Sequence, residues 1–138
     1  MVALEKAVEY ADAAAAASFS LESKMTKIVY NDCYGGFGLS KKAIERYCEL
    51  SGLGAKFVEE DELWGHWELP NGDYWYASDL SRDDPFLVQV VEELGEEAEG
   101  NAASLSIREL PTGTLYRIDE YDGMETVITQ DEYEWKVA

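Results

Sequence analysis

The sequence predicts an α+β fold: an antiparallel sheet with two packed helices, preceded by an alanine-rich N-terminal helix. Three observations predict it. Short β-branched and aromatic runs recur between turn signals, two capped amphipathic stretches lie among them, and residues 2–18 are rich in alanine. Runs of the first kind suit a pleated, half-buried surface, and the amphipathic stretches each offer one apolar stripe to a core.

In chain order, residues 2–18 place Leu4, Ala7, Val8, Ala11, Ala14 and Ala15 on one stripe, with Glu5, Glu9 and Asp12 off it. Alanine has the highest helix propensity. A stripe of small residues permits close approach, either onto the rest of the chain or onto a second copy in a homodimer. Residues 1–24 read as a helical extension ending in a linker at 20–24, and residues 25–138 as a single compact domain. Lys27, Ile28, Val29 and Tyr30 form a strand that Asn31 and Asp32 end, because their side chains bond nearby backbone in turns. Gly35, Gly36 and Gly38 follow within four residues. Ser40 is an N-cap for a helix with Ala43, Ile44, Tyr47, Cys48 and Leu50 on one face, and Gly52 is its left-handed C-cap.

A strand over 55–60 runs into the acidic cluster Glu59, Glu60, Asp61 and Glu62. An aromatic hairpin over 65–69 and 74–77 turns at Asn71-Gly72, a strong hairpin signal. Asp84 caps a second helix with Pro85 in its first turn. Its buried stripe is Phe86, Leu87, Val90, Val91 and Leu94, while Glu92, Glu93, Glu96, Glu97 and Glu99 face outward or continue past it. Negative charge at a helix C-terminus opposes the helix dipole, which suggests another use for it. Strands over 103–110, 114–120 and 124–130 should close one sheet as a meander, with Trp135 pinning the end of the chain.

Three blocks carry a resemblance: CYGGFGLS at 33–40, DPFLVQVVEELGEEAEG at 84–100 and IDEYDGMET at 118–126. Together they resemble a family of small proteins encoded by bacteriophages and prophages. The likeness covers residues from about Met25 to the C-terminus and is least in the middle. It implies a viral context, inside a bacterial host cell, and little chemistry. Two departures are the residues ahead of Met25 and Glu99, where the family pattern has Asn before the glycine.

Composition limits the functions. The 138 residues suffice for one domain with a real core, and 46% hydrophobic with 12% aromatic content argues against a disordered acidic tail. A net charge of −18 repels nucleic acid and anionic membranes and attracts basic proteins or cations. Direct nucleic-acid binding is therefore disfavoured, because phosphate neutralisation supplies most of its non-specific affinity. Cys33 and Cys48 lack CxxC spacing, so a reduced cytoplasmic setting is expected. There is no apolar run of membrane-spanning length and no secretion signal.

No cofactor and no metal site are expected. Zinc needs several Cys and His ligands, and the register that puts Gly123 sixth in a calcium loop places Ile118 first and Thr129 twelfth, neither a ligand. A Cys33–His66 dyad is formally available, but no orienting third residue is evident, and no enzymatic activity is expected.

Two functions fit. In the first, the protein is a non-enzymatic binder whose carboxylates occupy a basic, nucleic-acid-handling surface of a host protein. Its contact residues are Glu59, Glu60, Asp61, Glu62, Glu92, Glu93, Glu96, Glu97 and Glu99, with Trp64 and Trp75 as aromatic anchors. A carboxylate array can imitate nucleic-acid phosphates, as an inhibitor of a host nuclease or an RNA-guided (CRISPR) defence complex would. In the second, a nucleotide or signalling molecule binds the glycine-rich loop. There Gly35, Gly36, Gly38, Ser40, Lys41 and Lys42 present N–H groups, a helix N-terminus and positive charge, aided by Arg82, Arg108 or Arg117. The plainer use of that loop is a tight turn around Phe37, and the plainer use of the hairpin is to cover a sheet.

Overall fold

The structure is a computed structural model that describes residues 24–132 and 136–138. Among these residues the elements are β1 (Met25–Asn31), α1 (Lys41–Ser51), β2 (Lys56–Glu59), β3 (Gly65–Glu68), β4 (Tyr74–Trp75), α2 (Pro85–Leu94), β5 (Leu105–Pro111), β6 (Tyr116–Tyr121) and β7 (Met124–Thr129). All strand pairing is antiparallel, so the α+β class holds. The expected N-terminal helix and Trp135 lie outside the described residues.

β1 is the strand on which the layers are built. It pairs along its whole length with β5, from Met25 opposite Pro111 to Asn31 opposite Leu105. Successive side chains of a strand point to opposite faces, and here both faces are covered: Ile28 and Val29 are each fully buried. Val29 faces the helices, in a cluster with Ala43, Ile44, Tyr47, Leu87 and Val90. Ile28 faces the β6–β7 hairpin, where it packs with Leu110 and Val127.

The helices begin and end where their caps place them. The Ser40 hydroxyl accepts the Ala43 N–H at 3.1 Å, and Gly52, at φ 74°, closes α1 with its N–H on the Cys48 carbonyl. Asp84 Oδ1 accepts the N–H groups of Phe86 and Leu87, while its Oδ2 accepts the Tyr47 hydroxyl at 2.7 Å. That bond ties α1 to the start of α2. Burial, and then this carboxylate, push the Tyr47 hydroxyl well above its ordinary pKa.

β2, β3 and β4 form a three-stranded sheet in which Phe57, Trp67 and Trp75 stand directly opposite one another. Trp67 and Trp75 pack against the helical core, and Trp75 stacks on Tyr47 with ring centroids 6.3 Å apart.

The meander expected of the last three strands does not form. β5 pairs with β1, and β6 pairs with β7, as separate two-stranded sheets. The cause lies in β1, whose two apolar faces need a full-length partner between two layers. After Pro111 the Thr112 N–H bonds the Lys24 carbonyl, and the chain leaves the ribbon to stack its last hairpin on the Ile28 face.

Asn31 ends β1 with no exposed surface. Its Nδ2 donates to the carbonyls of Cys33 and Gly123 at 2.9 and 2.8 Å, and its Oδ1 accepts the Ser104 N–H at 2.8 Å. Its own N–H donates to Glu125 Oε1, a carboxylate also held by both terminal nitrogens of Arg82. Asn31→Ala would leave two carbonyls and one N–H without these partners; an orphan costs about 1–3 kcal/mol when fully buried, and less here because the three groups are only partly buried. We expect a loss of roughly 2–4 kcal/mol in urea unfolding with an unchanged slope; a loss within about 0.5 kcal/mol, typical of a surface site, would refute that role.

Candidate protein-binding surface

The acidic residues of α2 and its continuation already have partners within the chain. Lys27 Nζ lies 2.7 Å from Glu92, and Arg46 grips Glu93 through Nε at 2.9 Å and a terminal nitrogen at 3.2 Å. Lys42 Nζ lies 2.7 Å from Glu97, and Glu99 accepts the Leu105 N–H at 2.8 Å. Of the five, Glu96 alone has no side-chain partner among the described residues. The charge that opposes the helix dipole is thus answered by cations from β1 and α1. Hydrogen bonds from Arg46 and Gln89 hold the Glu93 carboxyl down at about 2, and Lys42 lowers that of Glu97.

The glycine-rich loop is built for close packing. A Cβ on Gly35 would lie 1.7 Å from the Ala102 carbonyl oxygen. The Gly36 N–H donates to that same oxygen at 3.0 Å, the Gly100 N–H donates to the Gly38 carbonyl, and the Ser40 N–H donates to the Ala98 carbonyl. The Ser40 hydroxyl donates to the Glu97 carbonyl at 2.6 Å. Lys42 is paired with Glu97, and Lys41 sits 4.7 Å from the centroid of the Phe57 ring. Arg82, Arg108 and Arg117 face Glu125, Glu132 and Asp119. This geometry gives the loop a structural use and lends no support to an anion site. Phe37 lies beneath the Arg82 guanidinium, 3.6 Å from its ring centroid.

Cys33 and His66 have separate partners. The Cys33 thiol lies 3.3 Å from the Ala102 carbonyl and accepts the Gly35 N–H. His66 stacks on Tyr74 at 4.0 Å, with Nε2 2.6 Å from Glu68 and Nδ1 2.8 Å from Glu60. Among the described residues, no group of three or more His, Cys, Asp or Glu is placed to hold a metal ion, and no helix is long and apolar enough to cross a membrane.

The β2–β3 turn is different. Glu59, Glu60, Asp61 and Glu62 are all exposed, and among the described residues no lysine or arginine is paired to any of them. Asp61 Oδ1 accepts the N–H groups of Leu63 and Trp64, both at 2.8 Å, while the N–H groups of Glu60 and Asp61 donate to the Trp64 carbonyl at 2.9 and 3.1 Å. These bonds fix the turn and hold Leu63 and Trp64 out from it, 85% and 67% exposed. Tyr74 and Tyr76, from the neighbouring strand and just past it, are also exposed.

The structure therefore brings Glu59, Glu60, Asp61, Glu62 and Trp64 together. Trp75 is not part of this surface: it stands on the inward face of its strand, against Tyr47, and belongs to the core. Sequence reasoning expected some of the aromatics of residues 64–76 to point outward, but did not single out Leu63, Tyr74 and Tyr76 as contact residues. The signal for the tyrosines was strand alternation, which sends them outward once Trp75 points inward. Comparison with family models, with curated proteins and with solved structures finds no match to the chain.

The Arg46–Glu93 contact has a pH signature. A depressed folded-state pKa adds stability that is complete above the unfolded value, near 4.5, and is lost as pH falls towards about 2. Glu93→Gln should lower the urea midpoint at pH 7, and the gap from the unmodified protein should close between pH 4.5 and 2. A gap of constant size would assign the effect to packing.

Proposed function

We propose that this protein acts by binding and not by catalysis: its acidic β2–β3 turn and the adjoining sheet occupy a basic, nucleic-acid-handling surface of another protein. One observation carries this reading. Among the described residues, none of the four consecutive exposed carboxylates at 59–62 pairs with a lysine or arginine, whereas three of the five acids at 92–99 do, Glu92, Glu93 and Glu97. Residues 56–79 as a whole hold seven Asp and Glu against the single cation Lys56. A dense patch of one sign raises the local concentration of a partner of opposite sign and steers its approach.

Carboxylates arrayed in this way stand in for phosphates, so the occupied surface would be one that otherwise binds DNA or RNA. The resemblance to phage-encoded proteins supplies a purpose, the inhibition of a host nuclease or an RNA-guided defence complex. The mechanism is steric and electrostatic: the protein fills the nucleic-acid channel and its charge competes for the same cations.

The test is capture from bacterial lysate, followed by displacement of labelled DNA or RNA from the captured protein. We expect a basic nucleic-acid-handling protein that washes off as salt rises, since screening weakens exposed charge pairs. Replacing Glu59, Glu60 and Glu62 together by Gln should weaken binding about tenfold or more at low salt, at about 1.4 kcal/mol per tenfold. Capture that ignores both salt and these substitutions, or a captured protein that keeps its nucleic acid, would overturn the proposal.

A further inference from the structure

We infer that Leu63 and Trp64 form an apolar anchor that seats in a nonpolar pocket bordered by lysine or arginine side chains on a partner protein. The inference rests on the binding function proposed above and specifies its contact. Isolated exposed apolar side chains are ordinary on protein surfaces. Here two large ones are adjacent, at 85% and 67% exposure, and nothing among the described residues covers them. The chain has half-buried sites for its other described tryptophans: Trp67 meets Phe57 edge to face and Trp75 stacks on Tyr47, both against the core. Trp64 is held away from that core by the backbone bonds that fix the turn. A turn whose backbone is already fixed loses little freedom on binding.

The surroundings match the anatomy of a protein-binding hot spot. Tryptophan is enriched at the centre of interfaces, and polar groups form the rim. Here the rim is Glu59, Glu60, Asp61 and Glu62, and its sign selects the occupant. A second copy of the chain brings another net charge of −18. Residues 1–23 bring Glu5, Glu9, Asp12 and Glu22 against Lys6 alone. A nucleic acid offers bases to stack on Trp64 but brings its phosphates with them. All three are repelled. A cationic protein surface with an apolar recess satisfies the charge and the anchor together.

Two labelled synthetic peptides of equal positive charge serve as probes, one lysine-only and one an amphipathic lysine–leucine helix, with affinities read by fluorescence anisotropy on the full chain. We expect the amphipathic peptide to bind more tightly, and Trp64→Ala to weaken it about 30-fold, the scale of a hot-spot tryptophan, while lysine-only binding stays unchanged. Leu63→Ala should act in the same direction and less strongly. The Gln substitutions at 59, 60 and 62 should weaken both peptides alike. Because Trp64 is exposed, the thermal unfolding of Trp64→Ala should match that of the unmodified protein.

An amphipathic peptide that binds both proteins equally would overturn the anchor and leave the charge reading standing. Failure of both peptides to bind would overturn the two together. Sedimentation showing a dimer that Trp64→Ala dissolves would overturn the assignment to a cationic partner and make a second copy the occupant.

Discussion

Asn31 commits its side-chain amide and its backbone N–H to the interior, and its partners come from three different parts of the chain. Its amide reaches the glycine-rich loop at Cys33, the last hairpin at Gly123 and the entry to β5 at Ser104, and its N–H reaches Glu125 on β7. A buried carboxylate without a cation is costly, so Glu125 requires the two-pronged grip of Arg82. Arg82 in turn lies on the Phe37 ring and accepts the Val29 N–H on its carbonyl. None of these groups is satisfied unless the others are in place. The hairpin also seats so closely that a Cβ on Gly123 would lie 2.4 Å from the Gly35 carbonyl oxygen. Three separate stretches of the sequence meet around this point: Cys33 to Gly38, Gly100 against Gly38, and Gly123 with Glu125.

What was legible in the sequence was local. Ser40, Gly52, Asp84 and Pro85 mark helix ends because a cap acts on the residues next to it, and Asn71-Gly72 marks a turn for the same reason. Strand partners were not legible. The pairing of β1 with β5 joins Val29 to Ile107, and no neighbouring residue announces that choice; the spacing of β5, β6 and β7 suggested a meander equally well. The glycines of 35–38 allowed either a tight turn or an anion-binding loop, and only the structure shows Ala102 and Gly100 lying against them.

The candidate site was half legible for the same reason. Glu92, Glu93 and Glu97 looked free because their partners are Lys27, Arg46 and Lys42, 47 to 65 residues away. Exposed ion pairs of this kind each add little stability, but together they draw three cations of residues 24–55, Lys27, Lys42 and Arg46, onto α2 and its continuation. Trp75 and Trp64 were indistinguishable as anchors by composition. The difference between them is one of strand face against turn, and it shows only once Trp67 and Trp75 are seen paired across the sheet.

This partition of charge bears on the proposed function. Solubility requires net charge and nothing of its arrangement, and a scatter of acids would serve it with less mutual repulsion than four in succession. Nor does solubility favour placing an exposed leucine and tryptophan directly after those four. Under the binding function the two features have different tasks. Long-range attraction from residues 59–62 raises the rate of encounter and orients it, and salt weakens it. Desolvation of an apolar anchor acts at contact and governs how long the complex lasts. A nucleic-acid mimic needs both: phosphate-like charge to compete for a cationic channel, and an attachment that nucleic acid cannot match to remain there.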